Sequence, residues 1–172
     1  IDVASARLYR ELRGGDFERD MGLIEEAART FSGRISTHII VGVGEGEDEL
    51  VDAMVRLHRS GALIALFAFT PCPGTKMAAR APPDPSKYRR AQVARYLIEL
   101  GIDADFAYNS EGEIADFGRS WDELMRVLKP SAFRTSGCPG CNRPFYNERP
   151  SGPIYNYPRP LTEGEYEEGL RL

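Results

Sequence analysis

Cys138-Pro139-Gly140-Cys141 carries the sharpest chemistry in this chain. A Cys-x-x-Cys turn can present two sulfurs to one metal ion or cluster, and Pro with Gly between them permits the tight backbone this requires. Two sulfurs leave a tetrahedral site half complete. His38, His58 and Cys72 stand at no familiar ligand spacing from the pair, so the remaining ligands would come from elsewhere in the molecule or from a partner. A thiol redox pair is the rival reading, although such pairs usually open a helix after a strand. Here Ser136-Gly137 precedes and Asn142-Arg143-Pro144 follows. An inert turn is the third reading.

A second constellation is Thr37-His38-Ile39-Ile40-Val41-Gly42-Val43-Gly44-Glu45. Two glycines one residue apart, after an apolar strand and before a helix, let a ligand approach the backbone or simply make a tight turn. A Rossmann fingerprint would need Gly at position 47, which is Glu, and no Gly-Lys-Ser/Thr follows to make a P-loop. Phe67-Ala68-Phe69 ends a second apolar run, where aromatic rings can flank a flat ligand or pack in the core. Cys72 in the following Thr70-Pro71-Cys72-Pro73 reads as a small buried hydrophobe. Arg134, Asn142, Arg143, Tyr146, Asn147, Glu148, Arg149, Tyr155, Asn156, Tyr157 and Arg159 form a polar and aromatic stretch. It suits either gripping a polar substrate or packing a tail through its tyrosines.

The elements that must position these residues follow from periodicity. Ile1-Asp2-Val3 reads as a strand end, and Ser5 caps a short helix through Leu8, Tyr9 and Leu12 that Gly14-Gly15 stops. Phe17, Met21, Ile24, Ala28 and Phe31 recur at helical spacing. Ile35 to Val43 reads as a parallel strand covered on both faces. Asp48 to Ser60 is a helix closed by Gly61, Ala62 to Phe69 a strand, and the next helix, capped by Asp84 or Ser86, carries Val93, Leu97 and Leu100. Tyr108 to Phe117 reads as a hairpin about Glu111-Gly112, Trp121 to Leu128 as a short helix, 130–160 as loop, and Thr162 with Glu165 as the capping box of a last acidic helix. Repeated βα units imply a parallel sheet.

Composition narrows the classes further. A net charge of −4 over 172 residues offers no electrostatic footprint for nucleic acid or an anionic membrane. No apolar run reaches the roughly 18 residues that span a bilayer. With 3 cysteines there is no disulfide framework, which points to a reducing compartment, with the cytoplasm as the expected location.

Together these motifs resemble the radical S-adenosylmethionine superfamily, in the branch related to biotin synthase and lipoyl synthase. The resemblance implies an α/β fold: the C-terminal half of a partial (βα)6 TIM-like barrel over residues 1–101, then an irregular, cysteine-containing tail over 102–172. Asp2 would hold the ribose of S-adenosylmethionine from the end of the fourth strand. Ile40, Gly42 and Glu45 fit the adenine-packing G-x-I-x-G-x-x-E motif of the fifth strand, with His38 in place of its first Gly, and Ala68 would offer backbone groups from the sixth.

The tail from Phe133 to Pro150 is similar to the archaeal type of two-subunit lipoyl synthase, which implies that Cys138 and Cys141 ligate an auxiliary [4Fe–4S] cluster. The implied reaction inserts sulfur into an unactivated C–H bond of octanoyl chains, on an octanoylated lipoyl carrier domain or a small acyl substrate. Ferredoxin or flavodoxin would donate electrons, and a paralogous second subunit would be a partner. The Cys-x3-Cys-x2-Cys triplet for the radical-generating [4Fe–4S] cluster does not occur in the sequence. The chain is therefore expected to be the C-terminal portion of a longer protein, or a half-barrel that assembles with a partner. A biotin synthase-like or other radical reaction is the alternative within the superfamily, and a zinc-binding interaction module on an inactive α/β scaffold is the alternative outside it.

Overall fold

A computed structural model describes residues 1–102, 105–141, 143 and 152–172. Its centre is a run of three extended segments in chain order. Asp2 bridges in parallel to Ile39, and the Ile40 N–H donates to the Asp2 carbonyl at 2.7 Å. β1 (Ser36–Val41) then pairs in parallel with β2 (Leu63–Ala68), from Ser36 opposite Leu63 to Val41 opposite Ala68.

Helices make the connections. α1 (Ala6–Arg13) and α2 (Phe17–Thr30) lie between the Asp2 segment and β1, α3 (Glu47–Ser60) joins β1 to β2, and α4 (Pro85–Glu99) follows β2. Their ends are where local chemistry puts them. Ser5, Asp16 and Asp84 side chains accept from the first-turn N–H groups of α1, α2 and α4, satisfying donors that have no partner within the helix. Gly61 ends α3 at φ +86°, a conformation that costs glycine nothing.

The later part is a hairpin of β3 (Ala107–Tyr108) and β4 (Ile114–Asp116), then α5 (Trp121–Val127), a 3₁₀ turn at Pro130–Phe133, and α6 (Glu163–Gly169). The result is a mixed α/β structure with six α-helices and small sheets among the described residues, which form no closed barrel. None of these helices is long and apolar enough to cross a membrane.

Met21, Met54, Leu57, Leu66, Val93 and Leu97 are almost fully buried in one cluster that also takes in Phe133, Tyr155 and Tyr157. α4 explains that continuity. It packs on α3, on β2 and on the 3₁₀ turn, so polar residues on its remaining side, Arg89, Gln92 and Arg95, are buried as well. Arg89 and Gln92 find partners in the returning chain, and Arg95 in Glu99 and the Ala132 carbonyl. Gln92 donates to the Tyr155 carbonyl at 2.9 Å, Tyr155 donates its hydroxyl to the Pro83 carbonyl at 2.7 Å, and Asn156 donates to the Tyr88 hydroxyl at 2.8 Å. The region expected to be loop thus contains an anchored stretch. Arg134 bridges in parallel to Tyr157, with Thr135 N–H to Tyr157 carbonyl and Tyr157 N–H to Phe133 carbonyl both at 3.0 Å.

Three expectations change. β1 is covered on one face only: Thr37, Ile39 and Val41 are buried, whereas Ser36 and His38 are exposed and Ile40 is half-buried. On that open face His38 meets the Phe67 ring edge-on at 4.7 Å. Phe31 and Leu100 fit the inward faces of α2 and α4 by spacing, yet each is the residue just past the last helical turn, and both are exposed. Cys72 is exposed rather than a buried hydrophobe, because it sits in the loop after β2 with its thiol 3.6 Å from the Thr70 carbonyl.

Candidate functional site

The expected site residues fall at two ends of the parallel strands, which span roughly 17 Å at about 3.3 Å per residue. Ile40, Gly42, Glu45 and Ala68 gather at the C-terminal end, where β1 passes into α3 and β2 ends. Gly42 and Gly44 have φ of +102° and +118°. A Cβ on Gly42 would stand 2.9 Å from the Pro83 ring, and one on Gly44 would stand 3.0 Å from the Arg80 guanidinium. Both the backbone conformation and a close neighbour therefore require glycine at position 42.

Glu45 is the hub of this turn. Its carboxylate is fully buried and accepts from Gly42 N–H at 2.8 Å and Gly44 N–H at 3.0 Å, while Lys87 of α4 lies 3.0 Å away. Lys87 also donates to the Glu45 carbonyl at 2.7 Å. Two residues on, Glu47 is buried in the first turn of α3. Arg90 holds its carboxylate at 2.6 and 2.9 Å, and Ile114 N–H donates to it at 2.8 Å. This pair locks α3, α4 and the hairpin together.

Asp2 is adjacent through its backbone, but its carboxylate turns to Arg13 at the end of α1, 3.3 Å away. It holds φ +39°, the one positive value among the described non-glycine residues, a conformation disfavoured for any residue with a Cβ. Ala68 is buried, and Phe69 N–H beside it donates to the Val41 carbonyl at 2.8 Å.

Cys138 and Cys141 are elsewhere. The chain before them runs along β2: the Ser136 hydroxyl accepts from Leu66 N–H at 3.0 Å, and Gly137, at φ +108°, lies so close that an added Cβ would stand 2.9 Å from the Ala65 methyl. The thiol pair then makes a turn closed by Cys141 N–H to the Cys138 carbonyl at 3.0 Å. Gly140 has φ +74°. With proline at the second position and a left-handed glycine at the third, this is a type II turn. Cys138 is exposed and Cys141 half-buried.

The turn borders a cleft of about 520 Å³ whose walls include Gly61, Ala62 and Leu63 at the N-terminal end of β2, His58, Arg95, Glu99 and Arg134. Among the described residues no group of three or more His, Cys, Asp or Glu is placed to hold a metal ion. Cys138 and Cys141 both border the cleft, and two thiols supply at most two donors of a four-ligand site.

The polar stretch divides. Asn156, Tyr155 and Tyr157 are buried, the first two in hydrogen bonds to α4 and the loop before it. Arg159 binds Glu165 at 2.8 Å, and together with Thr162 N–H this holds the Glu165 carboxyl down at about 2. Arg143 is exposed, and Asn142, Tyr146, Asn147, Glu148 and Arg149 lie outside the described residues. Sequence reading missed Pro83, Lys87, Arg90 and Arg95. Their only signal was position on α4 or just before it, opposite groups more than thirty residues away in the chain. No protein-family model, curated protein or solved structure matches the chain.

Proposed function

We propose that the chain supplies part of a radical S-adenosylmethionine enzyme that inserts sulfur into an unactivated C–H bond of octanoyl chains in lipoate biosynthesis. One observation carries the reading: three parallel extended segments in chain order, Asp2, β1 and β2, bring Ile40, Gly42, Glu45 and Ala68 to one end, and the tail lays Cys138-Pro139-Gly140-Cys141 beside the last of them. The same order, with β1 uncovered on one face, supports the finer fold reading, the C-terminal half of a (βα)6 barrel.

Each residue has a role in this proposal. Glu45 is a positioning residue, fixing the glycine turn by its two N–H bonds. With those N–H groups engaged, contact with S-adenosylmethionine rests on the Ile40 and Ala68 side, and Asp2 would exchange Arg13 for the ribose hydroxyls. Cys138 and Cys141 would hold one side of an auxiliary [4Fe–4S] cluster. When bound, S-adenosylmethionine with its own [4Fe–4S] cluster supplies the radical and the auxiliary cluster the sulfur, while the protein positions and shields them. The Cys-x3-Cys-x2-Cys ligands must come from a further segment or a partner. An octanoylated lipoyl carrier domain, ferredoxin or flavodoxin, and a paralogous subunit belong to the same proposal.

Anaerobic reconstitution with iron and sulfide tests it. The expected product is a brown protein containing iron and acid-labile sulfide, whose visible absorbance is lost in Cys138→Ala and Cys141→Ala. One bound zinc without iron would instead support an interaction module and end the sulfur-donor reading.

A further inference from the structure

The cleft beside the thiol turn contains more positive charge than its own carboxylate balances. Arg95 is buried, with its side chain only 6% exposed, and its guanidinium is shared between Glu99 and the Ala132 carbonyl. That contact uses up Glu99. Arg134, in the same wall, is half-buried and makes no side-chain hydrogen bond or ion pair among the described residues. The Nε groups of both arginines are buried without partners. His58 adds a further nitrogen-bearing ring to the lining.

Buried donors that lack an acceptor are costly, and an arginine without a counter-charge is more so. A guanidinium presents a planar fork of N–H groups that matches two oxygens of one acid group. A space of about 520 Å³ lies within the range that receives small molecules.

We propose that this cleft binds the acid group of a small molecule, a carboxylate or phosphate, with Arg134 as its principal ligand. Arg95 and His58 supply the surrounding positive and polar surface, and the thiols of Cys138 and Cys141 stand at the rim. The inference goes beyond the sulfur-insertion reading and stands without it, because it requires neither thiol to hold iron. It also separates the occupant of this cleft from an amide-linked octanoyl chain, which is uncharged and has no use for a free guanidinium.

Inorganic phosphate titrated into the metal-free chain at low ionic strength, followed through backbone amide shifts, tests the site. Saturable shifts gathered at residues 61–63 and 131–141 are expected. Arg134→Gln should weaken binding at least about tenfold, the size of one ordinary charge-assisted contact, and Arg134→Lys should weaken it less. Shifts that never saturate, or that gather at exposed Arg7, Arg19 or Arg59, would overturn the proposal, as would equal affinity in Arg134→Gln. If Arg134→Gln does not fold, the wild-type shift map decides the matter by itself. Failure here leaves iron and sulfide incorporation untouched, so the two readings fall separately.

Discussion

The two ends of the parallel strands solve opposite problems. At the C-terminal end the two buried carboxylates have partners within the chain: Glu45 takes two glycine N–H groups and Lys87, Glu47 takes Arg90 and Ile114 N–H, and Pro83 fills the space that Gly42 leaves. At the N-terminal end of β2, Arg134 and two thiols border a cleft without such side-chain partners among the described residues. A glycine pair in sequence suggests room for a ligand, yet here the first glycine makes room for a proline. The contrast teaches that unused capacity, not glycine content, marks where a chain still has something to bind. Any cofactor docking at the C-terminal end meets buried carboxylates already paired within the chain.

The contrast breaks most decisively at Glu47. Replacing it with alanine leaves the mostly buried Arg90 with only Glu113 at 3.2 Å as a counter-charge and the Ile114 N–H without its acceptor, and unfolding in urea should show a loss of about 3 kcal/mol. Gly42→Ala comes next, since it combines a positive φ with the Pro83 contact, and a loss of about 2–3 kcal/mol is expected. If that variant unfolds at the wild-type urea concentration, the closed end is looser than its geometry implies.

A solvent-facing pair sharpens the comparison. The Arg159 guanidinium and Thr162 N–H hold the Glu165 carboxyl at about 2, against an ordinary 4.5. Its contribution to stability is therefore complete above about pH 4.5 and disappears as pH falls from there through about 2. Melting temperatures across that window should fall less steeply in Arg159→Gln than in the wild type, and identical slopes would remove this pair from the acid response. The smallest effect is expected at the open end. Cys138→Ala, at an exposed turn position, should change stability by no more than about 0.5 kcal/mol while abolishing any reconstituted cluster absorbance. A larger loss would mean that the thiol turn is itself part of the fold.

Much of the architecture is legible along the chain because its causes are local. Met21, Ile24 and Ala28, or Leu50, Met54 and Leu57, mark their helix faces at spacings of three and four, and Ser5, Asp84 and Gly61 mark ends by capping chemistry. Ile39-Ile40-Val41 misled about the outer face of β1, since an apolar run reads alike whether one side or both are covered. Phe31 and Leu100 keep the period one residue beyond the helix that would have turned them inward. The site divides in the same way. A pair of cysteines three apart announces itself, whereas the meeting of Glu47 with Arg90, or of Arg95 with Arg134 around one cleft, depends on how helices pack. Nothing in the spacing of those residues encodes it.

The bridge between Arg134 and Tyr157 ties the chain entering the thiol turn to the buried stretch near the last helix. Two backbone hydrogen bonds, Thr135 N–H to the Tyr157 carbonyl and Tyr157 N–H to the Phe133 carbonyl, make that tie. The thiol turn stands next to it, joined through Ser136 and Gly137 to β2. Displacing Tyr157 would therefore be felt at Cys138 through that short run of residues, so the buried stretch at 155–157 also sets where the thiols stand.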